Sequence, residues 1–550
     1  MKAIATAFTI LIFSSPVSSQ AIERNATFPL GVPLAVDGTG LPEDVGSSQR
    51  DADHGTISMN SSKDILVAFH TTRKDDFNAS KTHFGELKQV EVAYFEYQII
   101  NGVESWNHID SQVIGSIDHS PITSLQVDLV RCERPDVVAV DDRFFVVWTR
   151  LYGGATPTTN SRQPAVLECA WVEKSMNPKK MVIHGDPTGI KGLGAIIDQH
   201  VPGTNEALFL ELKECAGVVD AVQLNSPSDP NSPYTAAVVY PNQTFFSTSG
   251  DDTRKFDLRV ATCGLDTSTT PPTISVNSTF LDLKQNIAFN GTLAPSGQAS
   301  PGLILPDLAP SSEENAFWVA FEQQTKKTVT PLSGIPTEVA EGKIKLQYIK
   351  LQSSGEWEAE ATKTIKTPSA SDQYAWRRRP MISSYTADTS EHVASIAFGT
   401  NNSHPDANDK SGGVVLERWE YDEGSLAKPP TFDIPYPIFL DWPNDLAEWD
   451  DRPVPLMGRS NPFIRRCYAA RVSFTGFPVS SARDLISWDP YAPGDWKILD
   501  QDTSLFQGIR RPAAAYHFEA GVANPDYFAI TWEKTVPSWN GIKRVYLMVE

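Results

Sequence analysis

Three arginines and one histidine recur along the chain, each close to the start of a short apolar segment. They are His54, Arg134, Arg379 and Arg511, and each arginine is followed by proline. A guanidinium group keeps its charge at any ordinary pH and binds a carboxylate or sulfate through two parallel hydrogen bonds. If the fold brings these residues together, they form a cationic site suited to an anionic sugar.

Other side chains of the same segments are candidates for proton transfer. These are Tyr385, Tyr516 and His517, together with His54. A lyase acting on a uronate needs a cation for the carboxylate, a base for the C5 proton and an acid for the leaving oxygen, and Arg, His and Tyr can fill these roles. Asn461 takes the corresponding place in another repeat and is predicted to bind substrate with the arginines.

The element expected to position these residues is a repeated triplet, apolar-x-aromatic. It occurs at 67–69, 146–148, 238–240, 319–321, 396–398, 472–474 and 530–532. The copies are most often about 80 residues apart, and apolar segments with strand-like alternation precede and follow them. Several repeats continue into a segment containing tryptophan, at Trp106, Trp357 and Trp496. We therefore predict an all-β fold, a seven-bladed β-propeller of four-stranded antiparallel blades.

The two ends of the chain are predicted to meet in one blade. The last repeat stops at Glu550 after its third strand, and the apolar residues 26–36 can supply the missing outer strand. Such pairing closes the last blade with the N-terminal strand and removes an open sheet edge. Residues 21–550 are then a single propeller domain. Two separate β-sandwiches are the alternative, but they do not account for the spaced copies.

The pattern of strands resembles a known family. A strand ending in apolar-x-Trp/Phe, then a hairpin and a Gly-x-Trp segment at 494–496, is similar to the sialidase-like β-propeller superfamily, which includes propeller-type polysaccharide lyases. The resemblance spans most of residues 50–550. The Asp-box of that family is absent in proper form, because Ser487-Trp488-Asp489 is followed by an insertion. Sialidase chemistry implies an arginine trio with a Tyr/Glu pair, for which Tyr516 and Glu533 are available beside the three arginines.

The first 20 residues have the features of a signal peptide. Lys2 is followed by an apolar run at 3–13 and by small residues at 17–21, and no later stretch is apolar enough to span a bilayer. We expect a secreted protein, extracellular or periplasmic, that acts as a monomer. Its net charge of −20 disfavours nucleic acid and anionic membrane surfaces as partners.

The five cysteines bear on the redox state and on metal binding. They are Cys132, Cys169, Cys215, Cys263 and Cys467. In an exported chain they suffice for two disulfides and one thiol, and their pairing cannot be read from their spacing. No metal is expected because the sequence has no His/Cys cluster, and no cofactor is expected because it has no phosphate-binding loop.

These observations lead to two functional hypotheses. The first is a secreted propeller that binds an extracellular anionic glycan at its axial mouth and cleaves it by lyase or hydrolase chemistry. The second is a non-catalytic binding or scaffold propeller. In an enzyme the Arg, His and Tyr side chains should open to a pocket, whereas in a scaffold each should pair with groups of a neighbouring blade.

Overall fold

The computed structural model describes most strands of the chain and many of the turns between them. The described residues are 20–21, 27–29, 31, 34–36, 51–73, 87–116, 129–153, 165–185, 192–200, 207–208, 220–224, 234–246, 253–277, 283–290, 306–329, 337–365, 376–385, 392–401, 412–427, 455–457, 467–475, 480–488, 496–502, 510–517, 527–536 and 542–549. Every regular element among them is a β-strand, so the all-β prediction is confirmed. A search of these residues found no helix that could span a membrane.

The first half of the chain forms three sheets after three short strands. The short strands are β1 (Gln20–Ala21), β2 (Thr27–Pro29) and β3 (Leu34–Ala35). Sheet 1 is built from β4 (Asp51–Met59), β5 (Ile65–Arg73), β6 (Leu87–Ile100) and β7 (Val103–Gly115). Sheet 2 contains β8 (Leu129–Val140), β9 (Arg143–Gly153), β10 (Ala165–Met176), β11 (Lys179–His184) and β12 (Ala195–His200). Sheet 3 contains β13 (Ala207–Leu208), β14 (Asp220–Gln223), β15 (Tyr234–Phe246), β16 (Thr253–Asp266), β17 (Thr273–Asn277) and β18 (Leu283–Asn290).

Four further sheets follow the same plan. Sheet 4 contains β19 (Asp307–Pro310), β20 (Ala316–Val329), β21 (Thr337–Leu351) and β22 (Trp357–Ile365). Sheet 5 contains β23 (Trp376–Tyr385), β24 (His392–Asn401), β25 (Gly412–Asp422) and β26 (Ser425–Ala427). Sheet 6 contains β27 (Pro455–Met457), β28 (Cys467–Thr475), β29 (Ser480–Trp488) and β30 (Trp496–Asp502). Sheet 7 contains β31 (Arg510–His517), β32 (Tyr527–Val536) and β33 (Ile542–Val549).

The strands of the sheets pair antiparallel, except that β1 pairs with β3 in parallel, and the sheets are built on strands that follow one another along the chain. Sheet 4, for example, has the order β19-β20-β21-β22, and sheets 5 and 6 repeat it. In sheet 2 the outer strand is divided, because β11 and β12 pair with different halves of β10. In sheet 3, β17 and β18 divide the edge of β16 in the same way. The predicted four-stranded antiparallel sheets are confirmed, with these additions at their edges.

The apolar-x-aromatic triplet lies in the second strand of every sheet except sheet 3, where two short strands, β13 and β14, precede the strand that carries it. The strands that carry it are β5, β9, β15, β20, β24, β28 and β32. Trp148 and Trp532 are fully buried, and so are Val147 and Thr531, whose side chains point to the opposite face. Burial on both faces means that each of these sheets is covered on both sides, as happens when sheets stack face to face.

Hydrophobic clusters join successive sheets in this stack. Val67 and Phe69 of sheet 1 pack with Leu547 of sheet 7. The other face of sheet 1 packs on sheet 2, where the rings of Tyr94 and Phe144 lie 5.6 Å apart, edge to face. Further clusters join sheet 2 to sheet 3, sheet 3 to sheet 4 and sheet 4 to sheet 5. The first strands of the sheets are also neighbours, with β4 beside β8, β8 beside β14, β14 beside β19, β19 beside β23, β23 beside β27, β27 beside β31 and β31 beside β4.

Polar contacts reinforce the boundary between sheets 1 and 7. Tyr97 donates a hydrogen bond of 2.9 Å to Glu104 within sheet 1, and Tyr527 of sheet 7 donates to the same carboxylate oxygen. The ammonium group of Lys63 lies 4.7 Å from the centre of the Tyr527 ring. The first and the last sheets are therefore joined by apolar packing, a shared carboxylate and a cation–π contact.

The N-terminal segment bridges the same boundary, but not as the single strand predicted for residues 26–36. β2 pairs with Ser105–Asn107 of sheet 1, whereas β3 pairs with Tyr546 and Leu547 of sheet 7. The amide of Gly31 donates to the carbonyl of Val549 at 2.7 Å. Sheet 7 thus receives its outer strand from the N-terminal segment, and sheet 1 receives an additional edge strand. The division arises because the segment runs across two stacked sheets and can satisfy its backbone groups on both.

Gly55 lies where β4 makes a close approach to sheet 7. A Cβ atom at this position would lie 2.8 Å from Cγ1 of Val545. We expect Gly55→Ala to lower the free energy of unfolding by about 1–3 kcal/mol, because the added methyl group overpacks this interface. Urea denaturation measures the loss. The double variant Gly55→Ala/Val545→Ala should be more stable than the sum of the single effects predicts, and strictly additive losses would contradict the proposed clash.

Candidate functional site

Four of the described first strands share one irregularity, a two-residue β-bulge. The bulged pairs are His54-Gly55 in β4, Arg134-Pro135 in β8, Arg379-Pro380 in β23 and Arg511-Pro512 in β31. Each pair faces one residue of the second strand, which is the aromatic of the triplet: Phe69, Trp148, Phe398 or Trp532. The three arginines and the histidine therefore occupy equivalent positions, which we call the bulge row.

The residue types of the bulge row explain why the ladder is interrupted there. A bulge leaves one residue without a ladder partner, and proline has no amide hydrogen to lose. In sheet 1 glycine replaces proline, at the point where Val545 of sheet 7 leaves no space for a side chain. Bulges re-aim side chains at the ends of sheets, and they are frequent next to binding sites.

The structure brings three members of the bulge row onto neighbouring strands. β31 with Arg511, β4 with His54 and β8 with Arg134 are adjacent in that order. Arg379 lies on β23, whose neighbours among the first strands are β19 and β27. The side chains of His54, Arg379 and Arg511 lie outside the described part of the structure. The nearness of these residues is therefore stated for their strands and backbone positions.

The side chain of Arg134 is described, and it is only 6% exposed. Its backbone has φ of 57°, a left-handed conformation that is uncommon outside glycine. The Arg134 amide makes a long contact of 3.5 Å to Nδ1 of the buried His70, and Nε2 of His70 lies 3.3 Å from Nζ of Lys88. His70 was not among the predicted site residues, because a histidine that follows the aromatic triplet occurs in sheet 1 alone.

Two aspartates lie just after the bulge position and link neighbouring sheets. Asp136 of sheet 2 accepts hydrogen bonds from the Thr56 hydroxyl at 3.1 Å and from the Ala221 amide at 2.9 Å. Asp307 of sheet 4 accepts one from the Ile382 amide at 2.5 Å. Their register is the same, since each faces the residue before the aromatic of the triplet.

The environment of Asp307 favours its protonated form. Burial raises the pKa of Asp307 to about 7; the Ile382 amide lowers it, and the negative charge of Asp136 raises it further. The side chain nevertheless keeps part of its surface accessible. A carboxyl group with a pKa near neutrality can donate or accept a proton in catalysis. The predicted site did not include these aspartates, although each stands in a Pro-Asp-apolar triplet, at 135–137 and at 306–308.

The predicted proton-transfer residues lie toward the other end of the strands. Tyr385 is the last residue of β23, and Tyr516 and His517 end β31. At about 3.3 Å per residue, they lie roughly 16–20 Å along the strand from Arg379 and Arg511. Nε2 of His517 lies 3.2 Å from the carbonyl of Ser61, a contact between sheets 7 and 1. Tyr385, Tyr516 and His517 are thus not brought together with the bulge row.

Of the remaining predicted residues, one lies outside the described part of the structure and one is buried. Asn461 lies outside the described residues, and β27 at 455–457 is the first strand described in its sheet. Glu533 follows Trp532 and is 1% exposed. Across the described residues, no group of three or more His, Cys, Asp or Glu side chains is arranged to hold a metal ion.

Comparison with known proteins gives similarities of fold at low sequence identity. No family model matches the sequence, and no curated protein matches it by sequence. A sialidase from Trypanosoma rangeli, solved with the inhibitor DANA, is 8% identical with a TM-score of 0.37, and the match covers 91% of this chain and 55% of that one. This chain therefore matches only about half the length of that sialidase.

Two further solved structures match with similar sequence identity and TM-score. An α-L-arabinofuranosidase from Fusarium graminearum is 10% identical with a TM-score of 0.34, covering 80% of this chain and 96% of that chain. A protein of unknown function from Dyadobacter fermentans is 9% identical with a TM-score of 0.31, covering 76% of this chain and 94% of that chain.

Proposed function

We propose that residues 21–550 form a single seven-bladed β-propeller that is exported after loss of residues 1–20 and binds an anionic glycan at the bulge-row end of its axis. Sheets 7, 1, 2, 3, 4 and 5 stack in that order through their apolar faces. Sheet 6 completes the ring, because β27 lies beside both β23 and β31. The N-terminal segment then fastens the boundary between the first and last blades.

The observation that carries the proposed function is the equivalence of His54, Arg134, Arg379 and Arg511 within their sheets. First strands that are neighbours around an axis place equivalent positions at one level of the channel. Arginine at equivalent positions supplies positive charge that attracts carboxylate or sulfate groups, even though the protein as a whole carries a net charge of −20. An extended anionic glycan offers such groups at regular intervals.

Glycan cleavage, in this proposal, draws its proton from Asp307. This aspartate lies at the level just past the bulge position, and its pKa is near 7. Burial is the main reason that Asp307 keeps its proton, and the negative charge of Asp136, in the same register, adds to it. Tyr385 and His517 are too far along their strands to share a small site with the arginines, so the proposal assigns them no catalytic role.

A non-catalytic binding or scaffold propeller is the second candidate, and two contacts favour it. Arg134 is almost fully buried, and His517 contacts the backbone of a neighbouring sheet. Both are expected of side chains that lock sheets together. Under this alternative, the bulge row stabilises the ring and the protein acts through another surface.

Binding to a glycan panel tests the proposal. The panel contains a polyuronate, a sulfated glycosaminoglycan, a sialylated oligosaccharide and neutral dextran, and unsaturated uronate ends and new reducing ends are followed separately. We expect affinity for an anionic member, weakened about tenfold or more by Arg511→Ala and by Arg379→Ala. Arg511→Lys should retain less than wild-type affinity, because an ammonium group cannot form the paired hydrogen bonds.

The exposed Lys180 of β11 provides the matched control. Lys180→Ala removes one positive charge away from the bulge row and should leave glycan affinity unchanged. Binding that is equally strong in wild type and in both arginine variants would exclude the bulge row as the glycan site. Binding without any new ends would retain the binding function and exclude the cleavage step.

A further inference from the structure

Two buried cysteines meet at the boundary between sheets 2 and 3. Cys169 lies on β10, opposite Val147 of β9, and Cys263 lies on β16, opposite Ala236 of β15. Both are 0% exposed and belong to one hydrophobic cluster. The two thiols interact, since Cys263 is the first cause of the raised pKa of the Cys169 thiol. The structure thus identifies a pair among five cysteines whose spacing gave no pairing.

The other cysteine with a described side chain has different surroundings. Cys132 is also fully buried, but it lies in the cluster between sheets 1 and 2. Its Sγ contacts the carbonyl of Ser116 at 3.7 Å. Among the described cysteine side chains, Cys169 and Cys263 are therefore the pair in contact. The side chains of Cys215 and Cys467 lie outside the described part.

We propose that Cys169 and Cys263 form a disulfide that links sheets 2 and 3 when the protein folds under oxidising conditions. The thiols are reduced in this structure. To reach an S–S bond of about 2.05 Å from a non-bonded contact, the two sulfur atoms must move closer, which requires adjustment of both side chains. Such a crosslink joins two sheets that otherwise contact each other through side-chain packing.

A small disulfide, glutathione disulfide, can serve as the oxidant for this reaction. One cysteine, as thiolate, attacks glutathione disulfide and releases one glutathione thiolate, and the second cysteine displaces the other glutathione from the mixed disulfide. Two S–H bonds break, one intramolecular S–S bond forms, and glutathione disulfide is reduced to two glutathione molecules. The two electrons that leave the cysteines are those that the oxidant gains.

Because both thiols are buried in the folded protein, the disulfide has to form before folding is complete. Interaction with the Cys263 thiol and desolvation raise the pKa of the Cys169 thiol well above its usual range. Since the thiolate is the reactive species and an oxidant must reach it, the folded reduced protein reacts slowly. The disulfide forms before sheets 2 and 3 have packed, and it is then shielded from reductants.

The experiment refolds the mature chain with glutathione disulfide, or with reduced glutathione alone, and then blocks free thiols with an alkylating reagent under denaturing conditions. Peptide mass mapping should find a Cys169–Cys263 crosslink after oxidative refolding and two alkylated cysteines in the reduced sample. The crosslink closes a loop of about 95 residues, and the oxidised protein should unfold about 4 °C higher than the reduced one. When the protein is first folded in reduced form and only then incubated with the same oxidant, both cysteines should still be alkylated after denaturation.

Matched serine variants serve as controls. Cys132→Ser should leave the crosslink and the difference in unfolding temperature intact, whereas Cys169→Ser should abolish both. A wild-type protein with Cys169 and Cys263 both alkylated after oxidative refolding would overturn the proposal, and so would a disulfide from either cysteine to Cys215 or Cys467. Because the mapping is done on wild-type protein, the result does not depend on the variants folding.

Discussion

Glu168→Gln is expected to lower the free energy of unfolding by about 3–5 kcal/mol. Arg150 and Glu168 are both fully buried in sheet 2 and form two parallel hydrogen bonds, of 2.8 and 2.9 Å. The guanidinium group also donates to the carbonyls of Ser116 and Gly192. Glutamine leaves the arginine charged in an apolar surrounding without its counter-charge, and the desolvation cost is no longer offset.

A second Arg–Glu pair across the same two strands provides the matched control. Arg143 and Glu173 are 2.6 Å apart, but their side chains are 16% and 24% exposed. Glu173→Gln should cost less than Glu168→Gln, because water reaches the charges that remain on this partly exposed pair. Chemical denaturation of both variants at neutral pH measures the two losses. Equal losses would show that burial of the Arg150–Glu168 pair does not set its cost.

Asp307 is expected to make the protein less stable as the pH rises from about 4 to 7. Its pKa is raised from 3.8 to about 7 in the folded protein, mainly by burial. Below pH 4 both the folded and the unfolded chain hold the proton, so the group has no net effect. As the pH rises, the unfolded chain loses the proton first, and the folded state is destabilised by up to about 4 kcal/mol above pH 7.

Asp307→Asn isolates this contribution. The amide oxygen of asparagine can still accept the hydrogen bond from Ile382, but the side chain cannot ionise. The variant should therefore gain stability relative to wild type as the pH rises, with little difference at pH 4. Urea denaturation between pH 4 and 8 measures this difference curve. A flat curve would contradict a raised pKa for Asp307.

The partly exposed Asp266 supplies a control of opposite sign. Its pKa is lowered by hydrogen bonds from Ser268. A lowered pKa contributes stability that is present at neutral pH and is lost as the pH falls through the folded-state pKa. Asp266→Asn should therefore remove stability at neutral pH and leave the low-pH end unchanged, the reverse of the expectation for Asp307→Asn.

Local sequence determined the strands and their burial. The triplets at 146–148 and 530–532 predicted second strands, and both lie in the middle of such strands with fully buried tryptophans. The Arg-Pro pairs at 134–135 and 511–512 were correctly placed in first strands. These features could be read because alternation and the missing proline donor act over a few neighbouring residues.

Tertiary structure alone decided which distant residues meet. It placed Arg511 and His517 at opposite ends of β31, brought Thr56, Asp136 and Ala221 of three sheets together, and set Cys169 against Cys263. Periodicity assigns a side chain to a face of its own sheet, but its partner belongs to a sheet roughly 80 residues away. That partner depends on the stacking order and level of whole sheets, which no local pattern encodes.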